Sequence, residues 1–200
     1  SFLDNKNSFF IPNPSDKAFE TLNNFNNSCN VDVFFALSHG VHRGVLKSGK
    51  TDDRITFLKN LINITPDVKF DIYGIDKVQP IWADHYFKTI MNAKMGLNLS
   101  RGAAIKYYSS DRITQIIGNG LVCLIDEKTQ YSNFFNNDEM IFYKNSNDLS
   151  EKIEKISQDE KLRKKIGKKG KEKYTKYFNS DLVSRYILEK TLDLPVNKKY

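Results

Sequence analysis

Cysteine is scarce in this chain, and the two that occur, Cys29 and Cys123, stand far apart in 200 residues. Neither has neighbours at metal-ligand spacing, and two cysteines do not make a disulfide framework in a chain of this length. The scarcity argues against a disulfide-rich secreted fold and favours a reduced, cytoplasmic location. We therefore expect no metal site and no tightly bound cofactor.

Long apolar runs are also missing. No stretch approaches the roughly 18 to 20 apolar residues that span a bilayer. The first ten residues, SFLDNKNSFF, lack the basic and apolar regions of a signal peptide. The chain starts with Ser rather than Met, so we expect further sequence upstream. There is no P-loop, no GxGxxG loop, no nucleophile elbow and no HExxH motif, which argues against P-loop nucleotide hydrolases and zinc peptidases.

Positive charge, by contrast, is plentiful, with 31 Lys and Arg against 24 Asp and Glu, a net charge of +7 and a pI near 9.2. Residues 161–176 hold nine Lys and Arg and one Glu, or +8, and subtracting this from +7 leaves −1 for the other 184 residues. We expect no nucleic-acid partner, because no aromatic platform or recognition motif accompanies the lysines. Weak contact with an anionic membrane surface, at the inner face of the membrane, stays open.

The same basic segment carries apolar residues at a spacing of four, which predicts a helix packed on one side with its lysines in water. The stripe consists of Leu162, Ile166, Gly170, Tyr174 and Phe178.

Strand and helix signals alternate along the chain. Strands are predicted at Val31–Leu37, Val68–Tyr73, Met95–Leu99, Leu121–Ile125 and Met140–Tyr143. Helices are predicted at Lys17–Asn24 (weakly), Thr51–Ile64, His85–Ala93, Asp111–Gly118, Gln130–Phe135, Asp148–Ser157, Glu160–Tyr177 and Asp181–Leu192. This alternation predicts an α/β fold, a Rossmann-like parallel sheet with helices on both faces and a helical C-terminal tail. Residues 1–28 are interpreted as a linker or hinge, and residues 29–195 as the domain.

Ligands of such sheets bind beyond the carboxyl ends of the strands, where the strand order reverses. The loop after the first strand, Ser38–Lys50, combines glycines that admit close backbone approach with cations that bond phosphate oxygens. It is a candidate phosphate site, with a flexible, solvated basic loop as the alternative. Two of its residues are His39 and His42, but no third ligand follows at a spacing that would bind a metal. The candidate binding residues are His39, Gly40, Arg43 and Lys47.

The segment KYYSSDRITQIIGNG, residues 106–120, is the most specific in the chain. Ser109 or Ser110 is placed to cap a helix beginning at Asp111, so that the first amides of that helix face the ligand cleft. Arg112 and Gln115 are three residues apart and share a helix face. We interpret Arg112 as a phosphate contact and Gln115 as a ribose contact, with an ordinary capped amphipathic helix as the alternative.

From DRITQIIGNG to KGKEKY, residues 111–174, the sequence resembles the C-terminal domain of GT-B glycosyltransferases, in particular group 1 and CgeB-type spore-protein-like domains. That family has Arg, a Glu three residues later, a Gly and a strand, then an acidic loop, a helix pair and a final Gly-x-x-x-Tyr. The resemblance spans roughly residues 10–190, and order and spacing carry most of it. The matching positions are Arg112, Gly120, Leu149, Gly170 and Tyr174.

The resemblance implies the donor-binding domain of a metal-independent glycosyltransferase that uses a UDP- or GDP-linked sugar and an unknown glycan, lipid or protein acceptor. YYSSDRI is also similar to the donor loop of fucosyltransferases, which keeps a GDP-sugar open. The catalytic base is expected in an amino-terminal domain outside this chain. The implied donor contacts are His39, Gly40, Arg43 and Lys47 for the diphosphate, Tyr73 and Gly74 for the base, and Tyr108, Ser109, Ser110 and Arg112 for phosphates and sugar.

One position departs from the family pattern. Gln115 stands where the family has the Glu that holds the ribose hydroxyls. A Gln side chain still hydrogen-bonds a diol, but without charge assistance. This departure makes a non-catalytic nucleotide- or phosphate-binding module of the same fold the alternative function.

Overall fold

Five parallel strands form the centre of the computed structural model, which describes residues 9–37, 53–75, 78–100 and 102–195. The strands are β1 (Val31–Ala36), β2 (Phe70–Tyr73), β3 (Ala93–Asn98), β4 (Val122–Asp126) and β5 (Ile141–Tyr143). Their order across the sheet is β2-β1-β3-β4-β5. The predicted Rossmann-like α/β architecture is confirmed, and the order of the strands reverses between β1 and β3.

Helices cover both faces of the sheet. They are α1 (Arg54–Ile64), α2 (Ala83–Ile90), α3 (Asp111–Gly118), α4 (Ser146–Gln158), α5 (Glu160–Tyr177) and α6 (Ser180–Thr191). Strand β4 shows the two layers, since Cys123 and Ile125 join the core beneath α2 and α3, whereas Val122 and Leu124 join the core beneath α1 and α4. Burial on both faces explains why β4 is apolar throughout rather than alternating.

Helix α5 packs by the stripe predicted from its sequence. Ile166, Tyr174 and Phe178 are buried, and Tyr174 contributes to the core beneath α3. The helix also passes close to the loop before β4, because a Cβ at Gly167 would lie 2.5 Å from the carbonyl oxygen of Gly120. Only glycine permits this approach, which fixes α5 against the sheet.

The amino-terminal segment lies along the domain. The weak helix predicted at Lys17–Asn24 is wrong, because this stretch forms a turn followed by a 3-10 helix at Asn24–Asn26. Tertiary hydrogen bonds override the local signal, since the buried Asn24 amide donates to the carbonyls of Ile90 (2.6 Å) and Ala93 (3.1 Å).

Two further elements differ from their predicted form. Helix α2 was expected over His85–Ala93 but ends at Ile90, because Ala93 already pairs with Val31 in the sheet. In place of one helix over Gln130–Phe135, there are 3-10 turns at Glu127–Thr129 and Tyr131–Asn133, divided by Gln130 in a left-handed conformation (φ 56°).

Candidate functional site

A cleft of 420 Å³ opens at the carboxyl ends of the strands, against the end of β1 and beside the reversal of strand order. Open parallel sheets bind their ligands at this position, since two neighbouring loops diverge there. The end of β1, the segment leading into α2, and the first turns of α2 and α3 form its walls. The lining residues are Ala36, Leu37, Ile81, Trp82, Ala83, Tyr86, Phe87, Ser110, Asp111, Arg112 and Gln115.

Arg112 is the cation of this cleft. Its Nε donates to the carbonyl oxygen of Ala36 at 3.3 Å, and its Nη1 donates to the carbonyl of Leu99 at 3.1 Å and to Asn98 Oδ1 at 3.4 Å. The guanidinium also lies 5.0 Å from the ring centre of Phe35. These contacts tie Arg112 to the ends of both β1 and β3.

No carboxylate pairs with Arg112 among the residues that the structure describes. Burial lowers the pKa of Arg112, and the neighbouring charge of Arg54 lowers it further. An arginine carries five N–H donors, so the three bonds to Nε and Nη1 leave the two N–H groups of Nη2 without an acceptor in the described structure. Within the described structure, Arg112 therefore holds a positive charge with no carboxylate partner and a donor pair with no acceptor.

The first turn of α3 adds backbone amides to the same wall. Ser110 is the N-cap residue, as predicted, but its side chain makes no capping hydrogen bond. Its hydroxyl donates instead to Asn98 Oδ1 at 3.1 Å. This contact forms because Asn98 is the last residue of β3 and lies beside the start of α3. The Ser110 side chain therefore caps none of the first amides of α3, although the N–H of Ile113 donates to the Ser110 backbone carbonyl at 3.0 Å. The N–H groups before Ile113 and the helix dipole favour an anion there.

The opposite wall of the cleft is aromatic. Trp82, just before α2, is 59% exposed, whereas Tyr86 is packed edge-on against Phe34 at 5.4 Å between ring centres. Burial raises the pKa of Tyr86 far above its ordinary value, so its hydroxyl stays neutral. Ala83 turns the chain between them with a positive φ of 47°. The cleft thus combines a cationic side with an apolar, aromatic side.

Gln115 lies one turn after Arg112 on the cleft side of α3, as their spacing predicts. Its side-chain amide makes no hydrogen bond to another described residue, while its backbone carbonyl accepts from Asn119 at 2.8 Å. Asp111 is the one carboxylate among the lining residues, and Asn13 Nδ2 donates to it at 2.7 Å. Gln115 therefore presents an unengaged neutral amide to the cleft.

Tyr73 and Gly74 lie at the end of β2 and do not line the cleft. The Tyr73 ring packs on Phe34 and His85 at 6.3 and 6.1 Å, and burial raises the pKa of Tyr73. Gly74 has a φ of 74°, and a Cβ there would collide with the carbonyl of Leu37. Tyr73 therefore contacts the aromatic cluster behind the cleft through Phe34 and His85. Gly74 is explained by its positive φ and by its close approach to Leu37.

The other predicted donor contacts divide into two groups. Ser109 Oγ accepts from the backbone N–H of Asn13 at 2.7 Å, which joins the amino-terminal segment to the start of α3. Tyr108 precedes it, and its backbone N–H donates to the carbonyl of Ile105 at 3.0 Å. Neither residue is among those that line the cleft. The remaining group, in the loop after β1, lies outside the described residues and consists of His39, Gly40, Arg43 and Lys47.

The lysines of α5 are largely paired with acids. Asp138 accepts from Lys165 and Lys169, with nitrogen–oxygen distances of 3.2 and 2.9 Å. Lys173 pairs with Glu139 at 2.8 Å. Longer pairs within the helix join Lys164 to Glu160 and Lys168 to Glu172. Neutralisation by these acids reduces the field that the sequence charge of this segment suggests.

A larger cleft, of 670 Å³, lies between the amino-terminal segment and helices α5 and α6. Its walls carry three lysines and three acids, and it is not at the carboxyl ends of the strands. The part of the chain that the structure describes contains no cluster of three His, Cys, Asp or Glu side chains placed to hold a metal. None of the described helices has both the length and the apolar content to cross a membrane.

Sequence reasoning missed Trp82 and Tyr86, which line the cleft, and Asn98, a buried residue that contacts Arg112 and Ser110. Asn98 is a polar residue at the end of a buried strand, which is a usable signal for a residue at the ligand edge. Trp82 and Tyr86 are adjacent to a predicted helix start, but neither pattern nor spacing indicates that they face Arg112.

Two comparisons with known proteins gave matches, one to a family model and one to solved structures. A family model described as glycosyl transferase-like matches residues 54–189, which is more than half of the chain. No curated protein sequence matches the chain.

Several solved structures share the fold. A mutant of Staphylococcus aureus TarM in complex with fondaparinux, alpha-GlcNAc-glycerol and UDP has a TM-score of 0.66 and 17% identity, covering 95% of this chain and 40% of that one. Sucrose-phosphate synthase from Thermosynechococcus elongatus has a TM-score of 0.52 and 13% identity, covering 91% and 49%. HepE from Anabaena in complex with UDP has a TM-score of 0.51 and 11% identity, covering 71% and 37%. The chain spans less than half the length of each.

Proposed function

The chain belongs to the glycosyl transferase-like family, and from this premise we propose that it is the donor-binding half of a GT-B glycosyltransferase. The Rossmann-like domain corresponds to one half of a GT-B fold. The proposed reaction moves a sugar from a nucleoside diphosphate to an acceptor. The proposed acceptor is a glycan, a lipid or a protein, and the catalytic base is expected in another domain.

The observation that carries this proposal is the uncompensated charge of Arg112 at the reversal of strand order. When a sugar leaves a nucleoside diphosphate, negative charge builds up on the diphosphate. A fixed guanidinium and the first backbone amides of a helix stabilise that charge without reorganising. In this proposal Arg112 and the start of α3 bind the diphosphate, and the mechanism needs no metal ion.

The rest of the donor is assigned to Gln115, which lines the cleft, and to residues that the family resemblance implies. Gln115 offers its neutral amide to the ribose hydroxyls, and Tyr73 and Gly74 stay candidates for the base. Ser109, Ser110 and Tyr108 are candidates for the sugar side, and His39, Gly40, Arg43 and Lys47, outside the described residues, stay candidates for the diphosphate. UDP is the preferred nucleotide because two structures of the same fold contain it.

Nucleotide titration tests the proposal. Trp82 lines the cleft and is the only tryptophan of the chain, so its fluorescence reports occupancy of this cleft. We expect UDP to bind saturably, with GDP weaker, and Arg112→Ala to weaken UDP binding about 30-fold, the value of a hydrogen-bonded charge contact. The matched control is Arg185→Ala, which removes an exposed arginine from α6 and should leave affinity unchanged.

Calorimetry of the same samples serves as an independent measure of binding. Absence of saturable binding for both UDP and GDP would contradict the proposal. So would equal affinity of the wild-type protein and Arg112→Ala.

A second function is favoured by one observation, the neutral amide of Gln115 at the position of a family Glu. The chain would then be a non-catalytic nucleotide-binding module of the same fold. Turnover separates the two functions, because a transferase that contains its acceptor domain releases UDP from a UDP-sugar. A module would bind the UDP-sugar and leave it intact.

A further inference from the structure

Asn98 ends β3 with a buried side chain that is 1% exposed. Its Oδ1 accepts from Ser110 Oγ at 3.1 Å and from Arg112 Nη1 at 3.4 Å. An arginine only donates hydrogen bonds, so the oxygen of the amide must be the atom that faces Arg112. Through one oxygen, Asn98 therefore touches both the cation of the cleft and the residue at the start of α3.

The other half of the Asn98 amide has no partner. Its Nδ2 is buried and makes no hydrogen bond to any described residue. Unsatisfied buried donors carry a cost and are uncommon, so a purely structural role predicts a better-satisfied side chain here. An aspartate would have the same shape, would lose only this unused donor, and would form an ion pair with Arg112.

The three acceptors of Arg112 share one property. They are the carbonyls of Ala36 and Leu99 and the amide oxygen of Asn98, all of them neutral. The nearby titratable groups that influence Arg112 are Arg54, Tyr108, Tyr86 and Cys123, none of which is a carboxylate. Asn98 is the only one of the three acceptors that a substitution can turn into an anion.

We infer that Asn98 is a positioning residue of the anion site, whose neutral oxygen fixes Arg112 and Ser110 without cancelling the charge that an anionic ligand needs. The inference rests on the proposed function, because the ligand is taken to be a nucleoside diphosphate. It predicts opposite effects of one substitution on stability and on binding.

The test compares Asn98→Asp and Asn98→Ala with the wild-type protein, using UDP as the probe. For Asn98→Asp we expect UDP affinity to fall at least about tenfold, since the new carboxylate pairs with Arg112, while the thermal midpoint stays equal or rises. For Asn98→Ala we expect a lower thermal midpoint and a smaller loss of affinity, because Arg112 is less fixed but keeps its charge.

Asn145→Asp is the matched control. It makes the same chemical change at the exposed N-cap of α4, two strands away from β3, where aspartate also accepts from backbone amides. This variant should bind UDP like the wild-type protein, which separates a local effect from a change in net charge.

The outcomes separate the inference from the proposed function. If the wild-type protein binds neither UDP nor GDP, the proposed function fails. If it binds UDP through Arg112 but Asn98→Asp binds equally well, the inference alone is overturned. It is also overturned if Asn98→Asp and Asn98→Ala lose stability and affinity in parallel, as a structural asparagine would.

Discussion

Helix α5 and the cleft beside Arg112 differ in how their positive side chains are paired. Residues 161–176 contain nine Lys and Arg, and six of these form ion pairs with an Asp or Glu that the structure describes. Among the described residues that line the cleft, Arg112 is the one cation, and its acceptors are neutral oxygens. The number of positive residues in a segment therefore does not identify the candidate anion site. What identifies the site is a cation held in place by partners that carry no negative charge.

Two arginines make the same contrast residue by residue. Arg163 of α5 is fully buried, pairs with Glu160, and donates to the carbonyls of Asn24 at 2.7 Å and Asn27 at 2.9 Å. These bonds fasten α5 to the segment before β1. Arg163 is thus satisfied by a carboxylate and carbonyls, whereas the Nη2 donors of Arg112 have no acceptor among the described residues.

The largest expected effect comes from Arg163→Met, which keeps most of the apolar stem and removes the charged fork. The buried carbonyl of Asn24 and the partly buried carbonyl of Asn27 would lose their donor, so we expect a loss of about 3 kcal/mol in the free energy of unfolding. Denaturant unfolding measures this loss, and UDP affinity of the folded protein should not change. Arg185→Met, at an exposed position, is the control and should cost less than about 0.5 kcal/mol.

The assignment of Arg163 to stability alone would be wrong if folded Arg163→Met bound UDP more weakly than the wild-type protein. It would be equally wrong if Arg163→Met had the stability of the wild-type protein.

A smaller effect is expected for Gln115→Ala. The lost amide should weaken UDP binding by about 1 kcal/mol, the value of a neutral hydrogen bond, and leave inorganic pyrophosphate unaffected because pyrophosphate has no ribose. Arg112→Ala should weaken both ligands. Calorimetric titration of both ligands measures the difference, with Gln158→Ala, at an exposed position at the end of α4, as the control.

If Gln115→Ala weakened pyrophosphate as much as UDP, the assignment of Gln115 to the ribose would be wrong.

The smallest effect is expected at Asp138, the acid shared by Lys165 and Lys169. Hydrogen bonds from these lysines lower the pKa of the Asp138 carboxyl. A folded-state pKa below the unfolded value gives stability that is present at neutral pH and is lost as pH falls through the folded pKa. We expect Asp138→Asn to lower the thermal midpoint slightly at pH 7, with the difference from wild type vanishing in acid.

Freeing two lysines should also strengthen binding of Asp138→Asn to anionic vesicles, and added salt should remove the gain. Asp67→Asn, which removes an exposed acid elsewhere, is the control. A gain in vesicle binding of the same size in both variants would show that net charge, rather than lysine pairing, sets the behaviour of α5.

Local patterns were enough to predict the sheet and the alternation of strands and helices, because β-branched runs and four-residue spacing are properties of neighbouring residues. They also placed Arg112 and Gln115 on one face of α3. They could not predict the amide of Asn24 reaching Ile90 and Ala93, which replaced a helix by a turn.

The same limit applies to charge. Lys165 and Lys169 meet Asp138 from 27 and 31 residues away, so the sequence alone makes α5 look more basic than its surface is. Asn98 and Arg112 are 14 residues apart and meet only because β3 ends where α3 begins. Contacts of this kind depend on how elements pack rather than on the order of residues along the chain.

The most direct measurement compares the dissociation constants of UDP for the wild-type protein, Arg112→Ala, and a double variant with Lys165→Ala and Lys169→Ala. The double variant removes twice as much charge, but from paired positions. The account predicts a loss of about 30-fold for Arg112→Ala and a change below about twofold for the double variant. An equal or larger loss in the double variant would contradict it, as would an Arg112→Ala protein that binds UDP like the wild type.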